Sequence, residues 1–185
     1  MRITGGEARG RTLNFPSKSK ERPTSDFLRE ALFDLSGSLE GKTFLDLFAG
    51  SGSVGLEAAS RGAREVCFIE KNKKLVEVIN KNILTCCLDI TYRIIDKDIE
   101  LGLRDLYKKK CVFDIIFADP PYNRDLINVT LTALNKHMVL HDDGVLVIQH
   151  SIKEKINIPV DDKIYQIDQR KYGDNALTFL KMEKK

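Results

Sequence analysis

No apolar run in this chain approaches the roughly 18 residues that a membrane-spanning helix needs. The opening residues, Met1-Arg2-Ile3-Thr4-Gly5-Gly6, lack the apolar core of a secretory signal, so the expected location is the cytoplasm. Cysteine is scarce: four residues, none in the Cys-x-x-Cys spacing of a zinc site or redox motif. Cys67 and Cys111 lie in or beside apolar stretches and Cys86-Cys87 are adjacent, so all read as reduced small hydrophobes. Histidine is scarcer still, with three. His137 and His141 are four apart but straddle a predicted helix end and have no third ligand, so no metal is expected. Internal repeats and low-complexity tracts are also missing. What remains is 185 residues, 42% hydrophobic and 31% charged, the balance of a globular chain long enough for one domain with a real core.

A large net charge is lacking too, at +3, but the charge is unevenly placed. Residues 1–22 hold Arg2, Arg9, Arg11, Lys18, Lys20 and Arg22 against Glu7 and Glu21, a balance of +4 that leaves the other 163 residues at −1. A basic arm on a near-neutral body suggests a polyanionic partner, of which nucleic acid is the usual one; the plainer alternative is a solvated terminus. The glycine pair Gly5-Gly6 and Gly10 predict tight turns, and weak alternation over 3–15 predicts a short hairpin outside the main core. A polar linker covers 16–22. The expected organisation is therefore a basic appendage over 1–22 and a main domain over 23–185.

Pro23-Thr24-Ser25-Asp26 has the hydroxyl caps and early acid of a helix start, with Phe27, Leu28, Ala31, Leu32 and Leu35 as its apolar face and Gly37 as its stop. From residue 43 strands and helices alternate. Strands are predicted over 43–47, 65–69, 91–95, 113–118 and 145–148, and helices over 53–61, 73–84, 99–107 and 125–135. The second of those helices turns Leu75, Val76, Ile79 and Ile83 inward. Asp142-Asp143-Gly144 reads as a turn. Two last strands, 163–169 and 176–180, follow without a helix between them, so they must form an antiparallel hairpin. The repeated β-α-β pattern predicts an α/β fold, with a parallel sheet covered on both faces.

Chemistry concentrates at the carboxyl ends of these strands, where open α/β sheets bind ligands. Between the first strand and its helix lies Asp46-Leu47-Phe48-Ala49-Gly50-Ser51-Gly52-Ser53-Val54-Gly55, whose glycines satisfy G-x-G-x-x-G. The pattern brings backbone close to a ligand at a helix N-terminus. In a dinucleotide site the loop faces a pyrophosphate, which an acid would repel. Asp46 suits a cationic ligand better, and S-adenosylmethionine carries a sulfonium and an ammonium group. Glu70 closes the second strand, where a carboxylate accepts from ribose hydroxyls. Lys71 follows it. Asp98, with Ile99 beside it, follows the third strand, where an acid can accept from an adenine amino group. Each acid alone also reads as a helix cap or first-turn acid.

The fourth strand ends in Asp119-Pro120-Pro121-Tyr122. The prolines stop both helix and sheet pairing and hold the backbone where a charge and a ring emerge. An exocyclic amine is a poor nucleophile because its lone pair is delocalised. Asp119 and the Pro120 carbonyl would accept its two hydrogens and localise that lone pair. Tyr122 offers a stacking face worth about 1–3 kcal/mol per base. A base used this way must be flipped out of its stack. The plainer reading is a strand-ending turn with an exposed tyrosine. Three other functions stay open: adenine-N6 methylation, nicotinamide-dependent oxidoreduction and non-catalytic RNA binding.

Taken together, the glycine loop, the acids and Asp-Pro-Pro-Tyr resemble class I methyltransferases acting on exocyclic or amide nitrogen. Within them the chain is similar to the small bacterial 16S ribosomal RNA guanine-N2 methyltransferases. The residues that carry this are Arg2-Ile3-Thr4-Gly5-Gly6, Arg9-Gly10-Arg11, Leu13, Arg22-Pro23-Thr24, Asp26, Arg29-Glu30 and Leu32-Phe33. The glycine loop through Gly55-Leu56-Glu57-Ala58, Ser60-Arg61-Gly62-Ala63, Asp119 to Tyr122 and Tyr172-Gly173-Asp174 complete the likeness. The resemblance implies a Rossmann-like, seven-stranded, mostly parallel sheet with an antiparallel last strand. It implies S-adenosylmethionine as donor and one guanine of 16S rRNA as target, in the small subunit or a late assembly intermediate rather than naked RNA. It places Thr24 at the methionine end of the cofactor, beside Asp46, Phe48, Ala49, Gly50, Ser51, Gly52, Glu70, Lys71, Asp98 and Ile99. It gives Arg2, Arg9, Arg11, Arg22 and Tyr122 an RNA role, and a monomer is expected. One departure is Gln149, where such enzymes usually carry glutamate; it keeps an acceptor for the base edge but lacks the charge.

Overall fold

A computed structural model describes residues 1–15, 26–122, 125–158 and 164–182. Arg22 and Thr24 lie outside the described residues. The element order is α1 (Asp26–Ser36), β1 (Thr43–Leu47), α2 (Ser53–Ser60), β2 (Glu65–Ile69), α3 (Lys73–Cys86), β3 (Thr91–Ile95), α4 (Ile99–Lys108), β4 (Phe113–Ala118), α5 (Leu126–Lys136), β5 (Leu140–Ser151), β6 (Ile164–Tyr172) and β7 (Asn175–Met182).

The strands form one seven-stranded sheet in the order β3-β2-β1-β4-β5-β7-β6. Strands β1 to β5 pair in parallel, and β7 runs antiparallel between β5 and β6. Side chains alternate between the faces with the period of two that a strand dictates. Phe44, Phe68, Phe117, Val147 and Phe179 share one face with Leu32 of α1, Leu56 of α2 and Ile79 of α3. Leu45, Ile69, Ile116, Ile148 and Leu180 share the other with Leu103 of α4 and Leu131 of α5. The apolar strands of the sequence are thus covered on both sides, as parallel sheets require. The order reverses at β1 and β4, which start crossovers in opposite directions. That switch point sets the carboxyl ends of β1, β2 and β4 around one crevice.

Three local expectations are corrected. Helix α1 is turned so that Leu28, Leu32 and Phe33 face the core, while Phe27 is 64% and Leu35 40% exposed. The cause is Arg29, wholly buried, whose Nη2 donates to the Arg2 carbonyl at 2.6 Å and whose Nε lies 4.0 Å from Glu57. Residues 141–144 form no separate turn. They belong to one long strand, β5, as a bulge where pairing with β4 jumps from Phe113↔Leu140 to Ile115↔Val145. The N-terminal segment folds back on itself through the antiparallel bridge Arg2↔Thr12 and bonds from the Ile3 amide to the Arg11 carbonyl, the Gly10 amide to the Ile3 carbonyl and the Leu13 amide to the Met1 carbonyl, but it does not stand apart from the core. Ile3, Ala8 and Leu13 are buried in the main core rather than outside it.

That segment is fastened by α2. Buried Glu57 accepts from the Thr4 amide at 2.8 Å, the Thr4 hydroxyl at 2.8 Å, the Gly5 amide at 2.7 Å and Arg61 Nε at 2.8 Å. Gly6 has φ +73°, and a Cβ there would stand 1.7 Å from the Ser60 carbonyl, so only glycine passes this close to the end of α2. Among the described residues no helix is long and apolar enough to cross a membrane.

Candidate active site

The glycine loop leaves β1 through backbone that favours glycine, with Gly50 at φ +57° and Gly52 at φ +77°. Phe48 shares this conformation at φ +61° without being glycine, a strained choice common in binding loops. Gly55 allows α2 to lie directly on β2, since a Cβ there would stand 2.3 Å from the Phe68 ring. Two acids brace the loop. Asp46 Oδ2 accepts from the Gly55 amide at 2.9 Å, across the start of α2. Glu70 Oε2 accepts from the Gly50 amide at 2.8 Å, and its Oε1 from the Asn72 amide at 2.8 Å. A carboxylate oxygen can accept more than one hydrogen bond, so Glu70 retains capacity toward a ligand.

Asp46 is 2% exposed. Burial pushes its carboxyl well above the aspartate range, the Gly55 amide opposes this, and the nearby charges of Asp119 and Glu70 add to it; the result is about 8. Asp46 at the end of β1 therefore feels the charges of Glu70 after β2 and Asp119 after β4. Such a cluster repels a phosphate and attracts a cation.

Asp119 is half-buried just past β4. Its Oδ2 accepts from Gln149 Nε2 of β5 at 3.1 Å. Ala118 and Ile148 pair in register, which sets Asp119 and Gln149 side by side. Donation to a carboxylate fixes the Gln149 amide, because the reverse orientation would set oxygen against oxygen. Gln149 is 3% exposed, and its Oε1 has no hydrogen-bond donor among the described residues. Pro120 is buried, whereas Pro121 and Tyr122 are exposed. The Tyr122 hydroxyl donates to Asn175 Oδ1 at 2.7 Å, which ties the ring to the turn between β6 and β7.

Asp46, Glu70, Asp119, Gln149 and the loop 48–52 thus meet at one edge of the sheet. Asp98 is exposed and its Oδ1 caps α4 through the Leu101 amide at 2.9 Å, the plainer of the two roles open to it. Ile99 begins α4 half-buried, and Lys71 is exposed beside Glu70. Arg2, Arg9 and Arg11 are exposed on the N-terminal segment. A cavity of about 480 Å³ lined by Gly6, Glu40, Arg61 and Gly62 opens at the opposite, amino edge of the sheet. No group of three His, Cys, Asp or Glu side chains is arranged to hold a metal among the described residues. Burial pushes the Cys67 thiol up to about 12 and Cys86 up to about 11, so both stay protonated at neutral pH.

Sequence reasoning missed two supporting residues. Asn82 is wholly buried; its Oδ1 accepts from the Asn14 amide at 2.7 Å, and its Nδ2 donates to the Ser51 carbonyl at 2.9 Å. One side chain thereby joins the N-terminal segment to the glycine loop. Its signal was a polar residue in the inward stripe Leu75, Ile79, Asn82, Cys86. Glu57 gave a similar signal, an acid within Val54-Gly55-Leu56-Glu57-Ala58-Ala59, and every residue of α2 is buried.

Comparison with known proteins agrees with this architecture. The family described as Conserved hypothetical protein 95 matches residues 1–181. A putative rRNA methyltransferase, YlbH of Bacillus subtilis, is 32% identical over 165 residues, 89% of this chain and 90% of that protein. Ribosomal RNA small subunit methyltransferase D of Escherichia coli is 33% identical over 154 residues, 83% of this chain and 76% of that protein. The solved structure of the putative methyltransferase yhhF from Escherichia coli superposes with a TM-score of 0.84 at 28% identity, covering 100% of this chain and 99% of the other. The chain therefore belongs to the Conserved hypothetical protein 95 family and is a relative of the ribosomal RNA small subunit methyltransferase D proteins.

Proposed function

We propose that this protein is an S-adenosylmethionine-dependent methyltransferase acting on the exocyclic N2 amine of one guanine in 16S rRNA. The relatives that span most of the chain carry rRNA methyltransferase names, which supports ribosomal RNA as the substrate class. The observation that carries the chemistry is Asp119, half-buried at the end of β4 beside Asp46 and held by Gln149.

The residues present fit the cofactor. The acid cluster suits the ammonium and sulfonium charges, Glu70 suits the ribose hydroxyls, and loop 48–52 brings backbone close. Thr24, Lys71, Asp98 and Ile99 are assigned to its rim. When bound, S-adenosylmethionine supplies an electrophilic methyl group. Asp119 accepts one hydrogen of the amine and the Pro120 carbonyl the other, so the nitrogen lone pair is no longer shared with the ring. The fixed Gln149 amide keeps the Asp119 carboxylate aimed, which contributes positioning rather than a covalent intermediate. Tyr122, tethered at Asn175, stacks on the flipped base. Residues 1–22 form the RNA-binding arm through Arg2, Arg9, Arg11 and Arg22, and 23–185 the catalytic domain. A monomer acts on the small subunit or a late assembly intermediate.

The test is tritium transfer from labelled S-adenosylmethionine into small subunits that lack the modification, followed by nucleoside analysis. Label in N2-methylguanosine is the expected result. Label in N6-methyladenosine would sink the guanine assignment, and no label would sink the activity.

A further inference from the structure

The turn between β6 and β7 carries a group of apolar side chains that the proposed chemistry does not use. Phe27, in the first turn of α1, is 64% exposed. Its ring meets Tyr172 edge to face, with centroids 5.6 Å apart and planes at 79°. Tyr172 pairs with Asn175 across the turn, and Asn175 accepts from the Tyr122 hydroxyl at 2.7 Å. Ile152, 44% exposed, donates its amide to the Asp174 carbonyl at 3.0 Å on the same turn. Contacts therefore run without a break from Phe27 through Tyr172 and Asn175 to Tyr122, at the rim beside Asp119.

A single exposed apolar residue is ordinary, but aromatic rings grouped around one turn at the mouth of a site are not scattered. The near-perpendicular contact with Tyr172 is a preferred aromatic geometry, and because such a contact takes up at most one face, the 64% exposed Phe27 ring keeps at least one face open. Lys171, exposed, precedes Tyr172 and Lys153, exposed, follows Ile152, with the acid Asp174 on the same turn. Aromatic faces with interleaved basic groups are what unstacked nucleotides bind. A base flipped into the site leaves its neighbours without a stacking partner, and an aromatic face near the mouth of the site can supply one.

We propose that Phe27, propped by Tyr172, is a stacking platform for a nucleobase adjacent to the one presented to Asp119. This rests on an RNA substrate, as proposed above, and adds a second base-binding position to it. The occupant is an unpaired nucleotide of the substrate RNA, and the contact is to its ring face, so the platform tolerates any base.

The experiment compares wild type with Phe27→Ala, Phe27→Leu and Phe27→Tyr. Phe27 is exposed and loses only its contact with Tyr172, so the melting temperature should fall by no more than about 5 °C, and its rise with S-adenosylmethionine should match wild type in all three, which reports intact folding and cofactor binding. With unmethylated small subunits, Phe27→Ala and Phe27→Leu should raise KM by about tenfold and leave kcat within about twofold, while Phe27→Tyr restores KM. Affinity for a fluorescein-labelled single-stranded RNA decamer, measured by anisotropy, should fall in the same order. Unchanged affinity and KM in Phe27→Ala overturn the platform. So does full rescue by Phe27→Leu, which would point to an apolar contact with a ribosomal protein instead. The anisotropy arm needs no methyl transfer. If wild type methylates nothing but Phe27→Ala still loses RNA affinity, the proposed reaction fails and the platform stands.

Discussion

Replacing Asp46 by asparagine should make the ligand-free protein less sensitive to pH. The folded state holds the Asp46 carboxyl near 8, against 3.8 as the ordinary value. A raised acid pKa stabilises the fold fully below the unfolded value, because both states are then protonated. As pH rises above about 4 the unfolded chain releases this proton while the folded chain keeps it, so stability falls until about pH 8. For one group the slope inside that window approaches 1.4 kcal/mol per pH unit. In a domain of this size that corresponds to a melting temperature falling by roughly 3–6 °C per pH unit. The asparagine amide has no proton to release and still offers an oxygen to the Gly55 amide, so Asp46→Asn should remove that slope while keeping the loop braced. The assay is calorimetric melting at pH 5, 6, 7 and 8 for both proteins without ligand. Glu70 and Asp119 are present in both proteins, so the difference between the curves reports Asp46 together with its coupling to them. Parallel curves for the two proteins would refute the claim that burial holds Asp46 protonated. A cationic ligand should reverse the trend for wild type, since binding favours the ionised carboxylate and releases its proton.

Other substitutions separate chemistry from scaffold. Asp119→Ala should cut methyl transfer by at least about a hundredfold, while S-adenosylmethionine still raises the melting temperature nearly as in wild type; loss of both together would contradict the division of the site. Asn82→Ala should lower stability to urea by about 2–4 kcal/mol, because it strands the Asn14 amide and the Ser51 carbonyl, and it should weaken cofactor binding through the loop. Glu57→Ala should cost about 3–5 kcal/mol and expose the first 15 residues to proteolysis, since four donors lose one acceptor; a protease-resistant N-terminus would show that the apolar anchors Ile3 and Leu13 suffice.

The alternation of strand and helix was legible because both faces of a buried parallel sheet demand apolar runs, and β1, β2 and β4 have them. The acids were legible because each ends such a run. What stayed hidden was set by partners distant in sequence. Helix α1 carries enough apolar residues for more than one inward face, and the choice depends on Arg29 finding the Arg2 carbonyl and Glu57, 28 residues away. The role of residues 141–144 was hidden because two aspartates and a glycine specify a turn locally, whereas pairing along β4 absorbs them as a bulge. Asp98 carried two readings that local sequence cannot separate, and the cap to Leu101 shows one of them.

The N-terminal segment shows how such distant partners bear on function. As a string of arginines and glycines it looked detachable. In the fold its apolar residues enter the core, its turn is held by Glu57 of α2, and its Asn14 shares Asn82 with Ser51 of the glycine loop. α2 starts from that loop, and its Gly55 amide is the group that Asp46 accepts from. The exposed arginines Arg2, Arg9 and Arg11 are therefore mounted on the same helix and the same asparagine that shape the acid-lined crevice. Asn82 bonds to Asn14 at 2.7 Å in a half-buried contact and to the Ser51 carbonyl at 2.9 Å in a buried one, where a hydrogen bond is costly to leave unmade. An arm anchored so deeply presents its charges in a fixed relation to Asp119, and the RNA-binding role proposed for it rests on that rigidity.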